Sequence, residues 1–596
     1  MTIYHAPVKD IHFLLDDVLK IDRFNNLPGF ADASQDVRSV ILSEAARFSE
    51  EILHPLNAVG DIEGCTRNAD SSVSVPRGFA KAFSQLGEGG WIGLSAPVEY
   101  GGQGLPATLS FAVNEIFSSA NMALEMFSSL TRGAVEALLT HGSDEQKRTY
   151  IPNMLAGKWT GTMNLTEPHS GTDLGMMRTK AVKAQDGSYR ITGTKIFISC
   201  GEHDIAENII HLVLARTEGA AAGIKGVSLF VVPKLLINDD GSVGERNAVS
   251  CGSIEQKMGI HGNPTCVLNY EGATGWLVGG ENKGMEAMFV MMNEARLGAG
   301  LQGMAQSEVA YQNAANYAKE RLQGRAIGGA AHPEKPADPI IVHPDVRRNL
   351  QSIRAFNEAA RALALYSALR SDLAHRSEDA ETRSSADEYL SLVTPVIKGV
   401  LTDKGFANAV AAQQMYGGHG YIVETGAEQF VRDARITMLY EGANGIQALD
   451  LVARKLPRNN GRAVQAFLGE IDQFIADNGS QQNLTLTVKA LNEGIADLKK
   501  ATGSLMKFTT KDPNEAIAGS TDYMHLLGLV ALGYMWGLML KTAYEKIADG
   551  DSSDYLTMKI STGSFFLEHA LPETALHLRR IEAGGRNILD VPAEAF

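Results

Sequence analysis

The stretch YRITGTKIFIS at residues 189–199 sets the fold class, because it is rich in β-branched and aromatic residues within a largely helical chain. Similar short runs follow as IIHLVLAR at 209–216, as GVSLFVVP at 226–233 and at 266–279. Glycine, aspartate and asparagine separate these runs, and no long helical pattern lies between them. The pattern predicts an antiparallel sheet or small barrel rather than alternating strand–helix units.

Helical patterns flank this β region on both sides. Upstream, apolar residues at spacings of three to five predict a helix over residues 114–141. Downstream, Val346, Leu350, Ile353 and Phe356 share one helical face. Long periodic segments joined by short loops predict an antiparallel helical bundle.

The segment PRNNG at 457–461 is rich in residues that end helices, so the helical pattern of the bundle ends there. Helical periodicity begins again at Val464. We therefore expect a mainly α protein with a central β-barrel domain. The predicted parts are an N-terminal extension at 1–35, a helical N-terminal domain at 36–160, a β middle domain at 161–280, a C-terminal helical bundle at 281–456 and an additional helical domain at 461–596.

Composition excludes several classes of protein. The chain has 596 residues, with 54 Lys and Arg against 69 Asp and Glu, a net charge of −15. Broad nucleic-acid binding needs basic surface, so this balance argues against it. The four cysteines form no Cys-x-x-Cys pair, so we expect no metal site, and their scarcity favours a reducing, cytoplasmic location.

Two segments bear on membranes. Asp16 and Asp17 stand where a signal peptide needs its apolar core. The apolar run LLGLVALGYMWGLML at 526–540 is shorter than the ~18 residues that a membrane span requires. We interpret this run as a buried helix of the bundle.

Three short segments carry candidate chemistry. LTEPHSGTD at 165–173 offers backbone N–H groups and hydroxyls to a flat polar ligand or a phosphate, or forms a plain turn with Asp173 as a helix cap. QMYGGHG at 414–420 indicates either close backbone approach to a ligand or a tight turn. In YEGANGIQ at 440–447, Glu441 is either a base with a raised pKa or a helix-capping carboxylate.

A fourth segment, GAGLQG at 298–303, matches the dinucleotide-binding pattern G-x-G-x-x-G. That pattern requires a preceding strand, whereas this one lies inside a helical stretch. We interpret its glycines as sites of close helix packing.

Taken in order, these motifs resemble the acyl-CoA dehydrogenase family over residues 36–456. The resemblance also rests on further matching segments, which are EYGG at 99–102, HGSDEQK at 141–147, GTKIFIS at 193–199, KMGI at 257–260, Pro264-Thr265, ENKG at 281–284, Arg296 and ERLQ at 320–323. The family fold that it implies is a helical N-domain, a β-barrel middle domain and a four-helix bundle.

The resemblance implies FAD between the middle domain and the bundle, with its adenosine end reaching a neighbouring subunit. The positions that match family FAD contacts are Thr166, Thr172, Phe197, Ser199, Arg321, Gln323, Gln414, Gly417 and Gly418. Phe197 replaces the family's usual Trp against the flavin and donates no N–H. Ala443 and Gly445 depart from the family pattern, so the resemblance does not extend to two further FAD contacts.

The implied reaction removes an α proton and a β hydride from an acyl-CoA thioester. By resemblance Glu441 is the base, Arg296 lies near the acyl-CoA site, Tyr440 walls the acyl pocket and Gly442 brings backbone to the thioester. Some family members carry the base one residue before Arg296, where this chain has Ala295. Glu294 is one residue before Ala295, roughly 100° around a helix, and is a weaker alternative.

The length beyond residue 456 resembles the longer subgroup of the family, and the opening and the YEGANGIQ form are similar to members that convert 3-methylmercaptopropionyl-CoA to methylthioacryloyl-CoA in dimethylsulfoniopropionate breakdown. The alternatives are a general short- or medium-chain dehydrogenase of fatty-acid β-oxidation, an acyl-CoA oxidase and a catalytically silent flavin- or acyl-CoA-binding scaffold. The implied partners are an acyl-CoA, electron-transferring flavoprotein and further copies of the chain in a homodimer or homotetramer. Residues 461–596 are alternatively a membrane-docking element, which the acidic composition disfavours.

Overall fold

The computed structural model describes residues 2–596, which divide into two units. The continuous unit is Glu44–Gly298, and the split unit consists of the residues before Glu44 together with Ala299–Phe596. The chain therefore enters one unit, completes the other and then returns to the first. Two helices, α2 (Gln35–Phe48) and α7 (Gly284–Glu320), contribute residues to both units.

The continuous unit contains all the strands of the described residues. Their bounds are β1 Thr66–Arg67, β2 Val73–Ser74, β3 Trp159–Asn164, β4 Lys180–Lys183, β5 Tyr189–Ser199, β6 Asn208–Thr217, β7 Ser228–Pro233, β8 Leu235–Ile237, β9 Val243–Arg246, β10 Val249–Ile254 and β11 Thr265–Val278. Five of them close a ring in the order β11–β5–β4–β6–β7, with β7 pairing back onto β11. The predicted central β-barrel is confirmed.

The barrel is mostly antiparallel, with one exception that the sequence pattern did not indicate. Strand β6 pairs in parallel with both β3 and β4. Nine of the ten residues of β6 are buried, because the strand is covered on both faces, and this explains its near-continuous apolar sequence. Val213 and Phe230 are fully buried inside the barrel, while Leu212 and Leu229 are buried against helices on its outer face.

The helices of the continuous unit precede the barrel. They are α3 His54–Glu63, α4 Phe79–Glu88, α5 Ala107–His141 and α6 Asp144–Leu155. Helix α5 ends where predicted but begins earlier, and it kinks at Asn121, whose side-chain oxygen accepts a hydrogen bond from the N–H of Leu124. It packs directly on β3, since a Cβ on Gly161 would lie 2.5 Å from the Cβ of Ala134.

The split unit is helical throughout its described residues. Its helices are α1 Val8–His12, α8 Pro344–Arg376, α9 Ala380–Met415, α10 Ala427–Ile436, α11 Asn444–Asp450, α12 Arg462–Asn478, α13 Thr485–Lys511, α14 Pro513–Ala518, α15 Ser520–Ala548, α16 Asp554–Phe565, α17 Glu573–Glu582 and α18 Arg586–Leu589. Together with the barrel, these helices confirm the predicted fold class.

Close packing between α7 and α9 depends on glycine. A Cβ on Gly405 would lie 2.2 Å from the carbonyl oxygen of Gly303, and one on Gly300 would lie 2.5 Å from Ile397 Cγ2. The packing interpretation of the 298–303 segment is therefore confirmed for Gly300 and Gly303. No described atom lies within 4 Å of the same point on Gly298, so packing does not account for that residue.

Helix α15 contains the long apolar run of the sequence. Among residues 2–596 it is the one helix that is long and apolar enough to cross a membrane, with a mean hydropathy of 1.5 over its most apolar window. However, 89% of that window is buried inside the protein. It packs against α9, α13, α16 and α17, in agreement with the prediction of a buried bundle helix.

Candidate functional site

The loop between β3 and β4 is anchored from inside by Glu167. Its carboxylate accepts hydrogen bonds from the N–H of Arg178 at 2.7 Å and from the N–H of Thr179 at 3.0 Å, and it lies 2.9 Å from Lys195 Nζ. Burial alone would raise the pKa of Glu167, but the Lys195 ammonium and these hydrogen bonds hold the pKa below its ordinary value.

Lys195 is fully buried in the middle of β5. Its ammonium also donates to the carbonyl oxygen of Leu165 at 2.9 Å, so it binds the loop at two points. Burial lowers the pKa of Lys195 to about 8, and the Glu167 charge opposes that shift. This buried ion pair fixes the loop segment that contains Thr166.

Thr166, Phe197 and Ser199 are brought together on this side of the barrel. The N–H of Ile196 donates to the carbonyl oxygen of Thr166 at 2.9 Å, which places the loop beside the end of β5. Phe197 has a φ of +58° and the residue is 59% exposed. A left-handed conformation costs a non-glycine residue about 1–2 kcal/mol, and such strain clusters at functional sites. The exposed ring suits stacking against a flat ligand.

Thr172 lies on the exposed part of the same loop. Next to it, Asp173 accepts a hydrogen bond from the N–H of Gly175 at 2.9 Å and caps a short helical turn. The capping interpretation of Asp173 is therefore confirmed. The role of Thr172 toward a pyrophosphate stays a prediction.

Four other predicted residues line one cavity of about 550 Å³ in the split unit, namely Arg321, Gln323, Gly417 and Gly418. The segment that contains Arg321 is held by two backbone hydrogen bonds, from Gln323 N to Asp338 O at 3.0 Å and from Ile340 N to Arg321 O at 2.8 Å. Gln414 is exposed near the end of α9 and is not among the lining residues.

The same cavity contains an aromatic pair that the sequence motifs did not predict. The rings of Tyr317 and Tyr416 stack with centroids 4.2 Å apart and planes 23° from parallel. Both line the cavity with Arg321. Tyr416 stands inside the QMYGGHG segment, but nothing in the sequence indicated that Tyr317, about a hundred residues earlier, would meet it.

Glu441 lies in the loop between α10 and α11, where the chain takes an unusual path. Glu441 has a φ of +57° and Gly442 a φ of +86°. The side-chain amide of Gln447 donates to the carbonyl oxygens of Glu441 at 3.0 Å and Gly442 at 3.2 Å. The φ of +86° favours glycine at position 442, and a Cβ there would lie 2.6 Å from Gln447 Nε2 and displace that amide.

The neighbours of Glu441 in the split unit are also held. Tyr440 donates its hydroxyl hydrogen to the side-chain oxygen of Gln302, which fixes its ring against α7. Arg296 and Glu294 belong to the part of α7 in the continuous unit, and both are partly buried. Their roles toward substrate stay predictions.

Two polar residues of the barrel site lie outside the predicted set, although strand alternation contains a signal for them. Lys195 follows Tyr189 and Ile191 at the inward-facing positions of an alternating strand, where a lysine requires a buried partner. Glu167, in the loop one strand earlier, is that partner.

Comparison with known proteins decides the family. The acyl-CoA dehydrogenase N-terminal, middle and C-terminal domain families match residues 41–158, 162–273 and 282–456, and a family described as acetyl-CoA dehydrogenase C-terminal like matches 467–592. A 3-methylmercaptopropionyl-CoA dehydrogenase of Ruegeria pomeroyi is 41% identical over 98% of this chain and 99% of that protein.

The chain belongs to the acyl-CoA dehydrogenase family. Another relative is the broad-specificity linear acyl-CoA dehydrogenase FadE5 of Mycobacterium tuberculosis, 33% identical over the whole of both chains. A Bacillus anthracis acyl-CoA dehydrogenase solved with FAD has the same fold, with a TM-score of 0.74 at 21% identity, covering 92% of this chain and 88% of that one. Members of the acyl-CoA dehydrogenase family bind FAD, so this enzyme is FAD-dependent.

The residues present in this acyl-CoA dehydrogenase fit FAD. The exposed Phe197 ring offers a face for the flavin, and the cavity in the split unit combines stacked tyrosines with the Arg321 guanidinium. Aromatic faces suit an adenine, and a guanidinium suits a pyrophosphate.

Proposed function

We propose that this acyl-CoA dehydrogenase converts 3-methylmercaptopropionyl-CoA to methylthioacryloyl-CoA in dimethylsulfoniopropionate breakdown. The observation that carries the substrate assignment is the 41% identity to the Ruegeria pomeroyi enzyme, which spans nearly the full length of both chains. The likeness therefore includes the C-terminal segment that shorter family members lack.

In this proposal the Glu441 carboxylate removes the α proton of the thioester. The reaction must stabilise enolate charge on the thioester oxygen, and the Glu441 backbone N–H is the donor that we assign to it. The support for this role is that Gln447 holds the carbonyl oxygens of Glu441 and Gly442, which fixes the backbone of the loop directly after the Glu441 Cα. Bound FAD supplies the acceptor for the β hydride.

The remaining residues bind and orient. Tyr440, held by Gln302, walls the acyl pocket, and Arg296 contacts the acyl-CoA. Thr166, Phe197 and Ser199 contact the flavin ring, and Thr172 the pyrophosphate. Arg321, Gln323, Gln414, Gly417 and Gly418 bind the adenosine side of FAD from a neighbouring copy, so the active assembly is a homodimer or homotetramer. Electron-transferring flavoprotein is the proposed electron acceptor.

The test is anaerobic reduction of the bound flavin by a panel of acyl-CoA thioesters, followed by exposure to oxygen. We expect the methylthio-substituted propanoyl thioester to bleach the flavin absorbance fastest, with slow reoxidation by oxygen. If butyryl-CoA and longer straight chains are much faster, the enzyme is a general acyl-CoA dehydrogenase. Rapid peroxide formation makes it an acyl-CoA oxidase.

The base assignment has its own test. We expect Glu441→Gln to bind FAD normally, because its side chain is isosteric, and to lose flavin reduction by every thioester of the panel. Activity equal to that of the unchanged enzyme would remove Glu441 from the mechanism and favour Glu294, which Glu294→Gln then tests.

A further inference from the structure

Helix α11 begins at Asn444, three residues after Glu441. The side chain of Asn444 is hydrogen-bonded to residues of α9. Its amide nitrogen donates to Asp403 Oδ1 at 2.6 Å and to Thr402 Oγ1 at 2.9 Å, while its oxygen accepts a hydrogen bond from Lys398 Nζ at 2.7 Å. Lys398 and Thr402 are completely buried. Every hydrogen-bonding direction of the Asn444 side chain is therefore directed at α9.

The second oxygen of Asp403 faces helix α15 in the C-terminal segment. His525 Nε2 donates to Asp403 Oδ2 at 2.9 Å, and the two side chains are 14% and 22% exposed. A continuous hydrogen-bonded path thus leads from His525 through Asp403 to Asn444. It joins a helix that shorter family members lack to the loop that contains Glu441.

The far side of His525 is also supported. Its ring lies parallel to that of His577 on α17, with centroids 5.7 Å apart and planes 12° from parallel. His577 Nδ1 in turn donates to Asp522 Oδ1 at 2.7 Å. His525 is consequently held between a carboxylate of the bundle and an aromatic ring of the C-terminal segment.

The helices that bear this path are in close contact. A Cβ on Gly528 would lie 2.7 Å from Val400 Cγ2, and one on Gly399 would lie 2.3 Å from the sulfur of Met524. On α15 the two contacts lie on either side of His525, and on α9 both lie about one turn before Asp403. Because packed helices do not deform continuously, a displacement of α15 is transmitted to α9.

We infer that His525 is a positioning residue, which orients the Glu441 loop through Asp403 and Asn444 and so makes the C-terminal segment part of the catalytic apparatus. The inference rests on the proposed role of Glu441. The bond that the loop must align is the α C–H of the substrate. Misplacement of a catalytic group by about 1 Å costs up to ~100-fold in rate, so the effect falls on kcat rather than on substrate binding.

The test compares three variants of the FAD-loaded enzyme with 3-methylmercaptopropionyl-CoA and butyryl-CoA as substrates. His525→Leu removes the hydrogen bond to Asp403 at similar volume. His525→Gln keeps an N–H donor. Tyr523→Phe is the matched control, because it removes a hydrogen bond of 2.9 Å between the same helix and Thr502 on α13, away from the path.

We expect His525→Leu to lower kcat about tenfold or more while KM changes less than about twofold, with FAD content unchanged. His525→Gln should recover most of that loss, and Tyr523→Phe should keep the kcat of the unchanged enzyme. The inference is overturned if His525→Leu and Tyr523→Phe have equal kcat, or if His525→Gln gives no recovery. An active Glu441→Gln enzyme would instead refute the proposed base, so the two failures are distinguishable.

Discussion

Arg361 on α8 and Asp10 on α1 form a buried ion pair, with Nη1 and Oδ2 only 2.6 Å apart. Asp10 also contacts Lys559 Nζ and accepts the hydroxyl hydrogen of Tyr555 at 2.8 Å, both from α16. Burial would raise the pKa of Asp10, but the charges of Lys559 and Arg361 hold it well below its ordinary value. Asp10 therefore shares two buried cations with other carboxylates, since Lys559 also lies 2.7 Å from Glu358 and Arg361 lies 3.2 Å from Glu308.

We expect Asp10→Asn to lower the free energy of unfolding of the split unit by about 3–5 kcal/mol, because it removes a buried carboxylate that Lys559 and Arg361 share, although Lys559 keeps its pair with Glu358 and Arg361 its pair with Glu308. The matched control is Asp17→Asn, since the Asp17–Lys546 pair at 2.8 Å is about one-third exposed on both sides. That pair should contribute at most about 1 kcal/mol. Denaturant titration of the two variants measures the difference, and equal losses would contradict the assignment.

Inside the barrel, His211 should make stability depend on pH. Its Nδ1 lies 2.7 Å from Thr162 Oγ1, and burial lowers the pKa of the ring from 6.5 to about 3. Between pH 6.5 and 3, His211 binds a proton in the unfolded chain but not in the folded protein. The contribution of His211 to stability is therefore fully present above pH 6.5 and is lost as the pH falls toward 3. We expect His211→Asn, which cannot titrate, to lose less stability over this range.

The measurement is the denaturant midpoint as a function of pH. His569→Asn serves as the control, because it makes the same replacement at an exposed position outside the barrel. A His211→Asn curve parallel to that of the unchanged protein would refute the assignment.

Replacement of Gly405 by Ala should destabilise the bundle. The new Cβ would lie 2.2 Å from the carbonyl oxygen of Gly303, so α7 and α9 must separate. Overpacking of this kind costs about 1–3 kcal/mol. Gly469→Ala in α12 is the matched control, since no described atom lies within 4 Å of its Cβ position, and it should stabilise by about 0.5–1 kcal/mol. Thermal unfolding of the two variants measures the expected loss of stability in Gly405→Ala and the expected gain in Gly469→Ala.

Lys195→Met should weaken FAD binding by about tenfold, because it removes the hydrogen bond from Lys195 to the Leu165 carbonyl and the cation beside Glu167, so the loop with Thr166 is held less firmly. The double variant Lys195→Met with Glu167→Gln removes the buried charge and should regain part of the lost thermal stability. Fluorescence titration with FAD and thermal unfolding of the apoprotein test the two statements. A double variant less stable than Lys195→Met would contradict the expected regain of stability.

The sequence predicted what local patterning controls. The strand run at 189–199, the helix ending at His141 and the buried run at 526–540 each appear in the structure as expected, because alternation and helical periodicity encode burial directly. The parallel pairing of β6 with β3 and β4 was not predictable, since strand direction depends on connections that periodicity does not record.

The site was predictable only where one short motif holds its residues. Glu441, Gly442 and Tyr440 are neighbours in the chain, so a single segment indicated them. In contrast, Asp403 and His525 are separated by 122 residues, and their contact depends on the packing of α9 against α15. A polar residue at a buried helical position, such as Lys398, indicates that a polar partner must lie on another element, but it does not identify that partner.

The split between the two units has a consequence for biosynthesis. All residues of the continuous unit have left the ribosome tunnel while α16 is still untranslated, so this unit can fold during translation. Asp10 is made among the first residues, yet its partner Lys559 is 549 positions later. Contacts of the N-terminal extension with α7 and α8 can therefore form earlier, but its contact with α16 must wait for nearly the whole chain, and a product truncated before α16 would retain a barrel yet leave Asp10 without Lys559.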